Sequence, residues 1–258
     1  MYVFICDYGF AEQMCCIYDA WVMALKEGHD NVKLVRGPVN QLSILDEYIH
    51  VERDDIKYQK VINSIKQKIS WEAYMYVYYA SLSADEGALD AIYRFLIKGF
   101  RAGGSIVNYH TDADVSRLLK IRLNVANEAH HFMEFVRFNS IDNRLYISHI
   151  EPINDVTAIV ADHFEDRMPS EHWIIIDDIR KYGVVHPADG ESYIRWFTND
   201  EFEQLKKTEL YEDKYTDMWR TFFDAISIRQ RYNPRCQNTL MPKRKRKHMT
   251  EFVQNAQK

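Results

Sequence analysis

The longest regular alternation of apolar and polar positions runs over residues 117–138, RLLKIRLNVANEAHHFMEFVRF. At about 100° per residue, Leu118, Ile121, Val125, Ala129, Phe132 and Val136 fall on one stripe, which predicts a long amphipathic helix. Thr111, with Asp114 three residues later, has the spacing of a capping box and marks its start. Polar side chains flank the stripe, with Asn127, His130, Glu134 and Arg137 on one edge and Asn124, Glu128 and His131 on the other. Arg122 falls amid the apolar positions, where a permanent charge needs a carboxylate or a ligand. It is expected to be buried and ion-paired.

Upstream, apolar runs at 2–6, 32–35 and 48–51 predict short strands, and helical periodicity covers 11–25, 54–69 and 71–82. A second capping box, Ser83 with Glu86, precedes a helix that carries Leu89, Ile92, Tyr93, Leu96 and Phe100 on one face and ends near Gly103. Downstream, 145–150 reads as a strand, 154–164 as a helix capped by Asn154 or Asp155, and 173–176 with 184–186 as a hairpin. Thr198 and Glu201 cap a further helix, and 215–231 is the last strongly periodic stretch. The expected fold class is α+β. A small N-terminal α/β layer over 1–82 precedes a main α+β domain over 83–258, mostly helical with antiparallel strands, that ends in the segment 228–258.

Composition changes this picture little, since 47% hydrophobic and 28% charged residues suit an ordinary globule with a real core. Charge changes it more. The net charge of −5 conceals an asymmetry: residues 228–258 carry nine Lys and Arg against Glu251 alone, a net of +8, so the preceding residues carry −13. Arg229, Arg231, Arg235, Lys243, Arg244, Lys245, Arg246 and Lys247 point to a polyanion such as DNA, because clustered cations displace the counterions of phosphates. The competing explanations are a basic end that docks on the acidic body and a solvated tail. No apolar run approaches the roughly 20 residues that span a bilayer, and MYVFICDYGF has no basic leader and is interrupted by Asp7. A cytoplasmic protein without membrane contact is expected. Cys6, Cys15, Cys16 and Cys236 show no CxxC spacing, which argues for free, mostly buried thiols rather than a zinc or iron–sulfur site.

Glu128 and His131 have the ExxH spacing of di-iron helix bundles. The matching pair, Glu47 and His50, lies in a predicted strand, where residues three apart point to opposite faces. Neither a metal nor another cofactor is therefore expected. For acid–base chemistry the candidates are Glu128, His130, Arg137 and His163, since an imidazole titrates near neutrality and a guanidinium can orient an anion. A satisfied buried network explains the same polar edge without any reaction. The Gly103-Gly104 pair lacks a phosphate-loop pattern, and no nucleophile elbow or kinase motif is present.

MYVFICD, AIYRFLIKGF, RLNVANEAHHFMEFVRF, HFEDRMPSEHWIIID, VVHPA and NPRCQNTLMPKRKRKHMTEF, in that order, resemble one bacterial family. It is a DNA metabolism or DNA repair family, a domain of unknown function associated with a predicted DNA-repair radical SAM protein. Matching positions include Asn127, Glu128, His130, Phe135, Arg137 and Phe138, then His163, Arg167, Trp173 and His186, while His131 and Glu134 depart from the pattern. The resemblance implies a DNA-linked role and a radical SAM partner, and supplies no reaction or catalytic residue. Three functions follow as expectations. The first is a nucleic-acid-binding accessory factor working with the radical SAM protein. The others are an enzyme acting on a nucleotide or damaged base, and a protein-interaction module without nucleic-acid contact.

Overall fold

YVFIC, buried at Val3, Phe4 and Cys6, and VKLVR, buried at every second residue, form two short strands, β1 (Tyr2–Cys6) and β2 (Val32–Arg36), with the amphipathic helix α1 (Phe10–Glu27) between them. A helical crossover returns the chain to the same end of the sheet, so the two strands pair in parallel. Strand β3 (Glu47–His50) adds in parallel on the other side of β1, giving the order β2-β1-β3. The structure is a computed structural model that describes residues 1–39, 43–142, 144–210 and 214–253; the side chains of residues 209, 210, 214, 229, 244, 245 and 253 lie outside that description. The chain divides into two compact units, Met1–Asn127 and Glu128–Lys258.

In the first unit, α2 (Asp55–Lys68), α3 (Trp71–Ser81) and α4 (Ala88–Ala102) follow the sheet. Asp54 caps α2 by accepting from Ile56 N and Lys57 N at 2.8 and 3.1 Å, and Ser70 caps α3 by accepting from Ala73 N at 3.0 Å. The α4 start differs from the Ser83–Glu86 box. Ser83 Oγ accepts from Asp85 N at 3.1 Å and Asp85 Oδ1 from Gly87 N at 2.8 Å, two successive side-chain turns that delay the helix to Ala88. Phe4, Met14, Leu34, Ile65, Leu89, Ile92 and Leu96 share one buried core. The domain division drawn from sequence after residue 82 therefore falls inside this unit. Cys6, Cys15 and Cys16 are buried free thiols, and Cys236 is an exposed one.

The long helix is α5 (Ala113–Phe135), and the division between the units falls within it. Its start is set by Asp112 rather than Thr111. Asp112 Oδ1 accepts from Asp114 N at 3.0 Å and Val115 N at 3.3 Å, and the same carboxylate holds Lys98 Nζ at 2.6 Å. Leu118, Ile121, Val125, Ala129 and Phe132 are buried, as the periodicity requires. Arg122 departs from expectation. It is half-buried, its guanidinium carbon stands 4.9 Å from the centre of the Tyr76 ring, and its Nε has no hydrogen-bond partner among the described residues. The aromatic face takes the place of the expected carboxylate.

The second unit is built on a five-stranded sheet of order β4-β5-β6-β7-β8, formed by β4 (Asn139–Ile141), β5 (Leu145–Ile150), β6 (His172–Asp177), β7 (Tyr182–His186) and β8 (Tyr193–Trp196). It is mixed rather than purely antiparallel. Helix α6 (Thr157–Arg167) lies between β5 and β6, and these two strands run parallel while the other pairs are antiparallel. Asn154 and Asp155 do not cap α6 as expected, since Asn154 Nδ2 donates to Glu128 and Asp155 Oδ1 accepts from the Tyr182 hydroxyl. Trp173 is fully buried and stacks on His186 with ring centres 4.8 Å apart. The Thr198–Glu201 box does cap α7 (Asn199–Lys206). The stretch expected as one helix over 215–231 forms α8 (Lys214–Ile226) and then a separate 3-10 turn, Arg229–Arg231. Helices α9 (Pro234–Leu240) and α10 (Thr250–Val253) end the described chain. No helix among the described residues is long and apolar enough to cross a membrane.

Candidate functional site

On the polar edge of α5, Glu128 holds a loop. Glu128 is buried, and its Oε1 accepts from Ile153 N at 3.0 Å while Oε2 accepts from Asn154 N at 2.8 Å and Asn154 Nδ2 at 2.6 Å. Both oxygens are thus occupied by the turn that leads into α6. A carboxylate so engaged is a clamp, and this use removes it from the ExxH pairing with His131. His130 is exposed and lies 3.3 Å from Glu134 one turn on, as a surface pair. His163 is half-buried on α6 with its ring 5.2 Å from Phe164.

Arg137 lies two residues beyond the end of α5. Its Nη2 donates to Glu251 Oε1 at 2.8 Å, and Trp219 Nε1 donates to the other carboxylate oxygen at 3.2 Å. The guanidinium also lies 5.6 Å from the centre of the Trp219 ring. Burial pushes the Glu251 carboxyl up, but the hydrogen bonds from Arg137 and Trp219 outweigh it, so the group sits below the ordinary carboxylate value. No hydrogen bond or ion pair among the described residues joins any two of Glu128, His130, Arg137 and His163. The four catalytic candidates occupy separate environments.

The basic end divides into an exposed part and a docked part. Arg231, Tyr232 and Arg235 are exposed, and Asn233 Oδ1 accepts from Cys236 N at 3.1 Å, which fixes the start of α9 and places Arg235 in its first turn. A shallow groove there is lined by Asn233, Arg235, Cys236, Thr239 and Leu240. Lys243 is also exposed. Arg246, by contrast, folds back, donating to Met241 O at 2.8 and 3.0 Å and to Asn238 Oδ1 at 2.9 Å. Lys247 pairs with Glu151, and Met249 is buried. The side chains of Arg229, Arg244 and Lys245 lie outside the described residues.

Where Lys247 and His248 dock, a second group of polar residues converges that sequence reasoning did not single out together. The Asp177 carboxylate is buried and accepts from Ile179 N and Arg180 N, both at 2.9 Å, and from Arg180 Nη1 at 2.8 Å. Burial pushes this carboxyl above its usual range, and the Arg180 contacts offset that only in part. The tight turn it holds presents Asp178, whose Oδ1 accepts from His149 Nδ1 at 2.8 Å with both side chains nearly sealed. His248 Nε2 stands 3.7 Å from Glu151 Oε1, and the His149 and His248 rings stack with centres 6.4 Å apart. The sequence signal was a pair of apolar strands, LYISHI and HWIIID, each followed at its carboxyl end by an acid.

Comparison with curated proteins gives no match. Residues 86–251 match the family described as a domain of unknown function, DUF4130. That stretch takes in α4, all of α5, the mixed sheet and the docked basic end, well over half of the chain, and the protein belongs to this DUF4130 family.

Proposed function

We propose that the protein is a nucleic-acid-binding accessory factor of DNA metabolism, working beside a radical SAM protein. The observation that carries the binding half is the exposed stretch Arg231, Tyr232, Asn233 and Arg235, with Lys243 close behind in sequence, on a chain whose other charge is strongly acidic. Cations supply phosphate contacts, and an exposed tyrosine among them supplies a face on which an unpaired base can stack, the combination used for single strands. Arg246 and Lys247 are spent on internal partners, so the contact set is narrower than the run of charge in the sequence. The radical SAM half rests on the sequence resemblance alone.

A labelled single-stranded oligonucleotide titrated at several salt concentrations tests the first half. With three phosphates neutralised, log K should fall against log salt with a slope of about −2 from these residues, at about −0.7 per phosphate. Arg231→Ala, Arg235→Ala and Lys243→Ala combined should remove that part of the slope. Tyr232→Ala should weaken binding by about 1–3 kcal/mol with the slope unchanged. Absence of binding at low salt, or a triple variant with an unaltered slope, rejects this surface. Failure of the two proteins to co-purify rejects the partnership.

A further inference from the structure

We propose that Glu151, Asp178 and His248 form a site for a first-row divalent cation, with His149 as the positioning residue behind Asp178. The placement follows from topology. Strands β5 and β6 are adjacent and parallel, so their carboxyl ends share one edge, the edge at which parallel α/β layers bind ligands. The register pairs Ile150 with Asp177, which sets the next residues, Glu151 and Asp178, side by side. His248 arrives from a third segment, anchored by its buried neighbour Met249 and stacked on His149.

One donor atom from each of Glu151, Asp178 and His248 lies within 4.8 Å of the other two. A tetrahedral zinc-sized cation with bonds of about 2.0–2.2 Å holds its donors roughly 3.3–3.6 Å apart, so the three side chains must close by up to about 1.5 Å to complete the shell. His149 donates to Oδ1 of Asp178 and thereby fixes that carboxylate, the outer-sphere support that ligating groups receive in metal sites. No hydrogen bond among the described residues uses the other oxygen. Two carboxylates with one imidazole suit Mn²⁺, Fe²⁺ or Zn²⁺ and leave positions for water. The neighbouring cavity, lined by His131, Arg137, His149 and His248 among others, has a volume of about 10 Å³. It admits one water-sized particle and no organic substrate.

The Lys247 ammonium, bonded to Glu151, supplies a positive charge beside the two carboxylates. An incoming cation must displace it. That competition separates a metal site from a surface salt-bridge cluster. The full chain, stripped with chelator, would be titrated with Mn²⁺ by the loss of the free-ion electron paramagnetic resonance signal, and with Zn²⁺ by calorimetry. One ion per chain is expected. Glu151→Gln and His248→Ala should abolish binding, His149→Ala should weaken it about 10–100-fold at the same stoichiometry, and Lys247→Ala should tighten it. Lys247→Ala removes a surface side chain and keeps the test valid if a ligand variant fails to fold. Absence of binding to both the parent and Lys247→Ala, binding that survives Glu151→Gln and His248→Ala, or weaker binding by Lys247→Ala would each overturn the proposal.

Discussion

Arg122 and Glu128 are two charged side chains on one helix, and their surroundings assign them opposite weights. Arg122 faces a tyrosine ring with one nitrogen unsatisfied, whereas Glu128 closes three hydrogen bonds from Ile153 and Asn154. Replacing Arg122 by Met should therefore cost about 1 kcal/mol or less, the scale of a partly solvated cation–π contact. A broken buried ion pair would cost about 3–5 kcal/mol. Glu128→Ala strands two backbone N–H groups and an amide, and should destabilise by about 2–4 kcal/mol. Chemical denaturation of the two variants gives both numbers. Equal losses would refute the assignment. The sequence showed that both residues were out of place on an apolar stripe. It did not show their partners, because Tyr76 lies 46 positions before Arg122 and Asn154 lies 26 after Glu128, distances over which periodicity carries no information.

At the scale of elements, period and cap chemistry located most helices, and the failures have a common form. Thr111, Ser83 and Asn154 are all competent capping residues, but the neighbouring Asp112, the Ser83 and Asp85 turns, and the demand of Glu128 for Asn154 redirected them. Strands β4 and β8 escaped notice because one has three residues and the other is exposed at all four. The docking of α10 is likewise a tertiary matter, carried by Glu251 between Arg137 and Trp219. A carboxyl held below its ordinary value of 4.5 stabilises the ionised, docked arrangement fully above that pH, and the contribution is lost as pH falls through the lowered value. The indole N–H resonance of Trp219, identified with Trp219→Phe, should shift only when the solution is taken below about pH 4.5. In Glu251→Gln it should stay flat over the same range. A Trp219 resonance that ignores acid in the parent chain would show that Glu251 does not hold α10.

For the whole molecule, the mixed α+β class and the charge asymmetry were legible from the sequence, and the separation of exposed from docked cations was not. Charge counts treat Lys243 and Lys247 alike, yet among the described residues no ion pair holds Lys243, whereas Lys247 is paired with Glu151. The family match brings in another boundary, which begins at residue 86. Two residues later α4 starts, and this helix is fastened to the segment before the match. Arg94 donates to His29 O at 2.6 Å, Leu34 N donates to Asp90 Oδ1 at 3.4 Å, and Leu89, Ile92 and Leu96 complete a core with Phe4 and Leu34. The matched stretch thus shares its core with residues outside it. A fragment from residue 86 onward should bare the apolar face of α4 and go into aggregates on expression, and supplying residues 1–85 as a separate chain should return it to solution. A soluble, cooperatively melting fragment would show instead that the matched stretch folds without the residues before it.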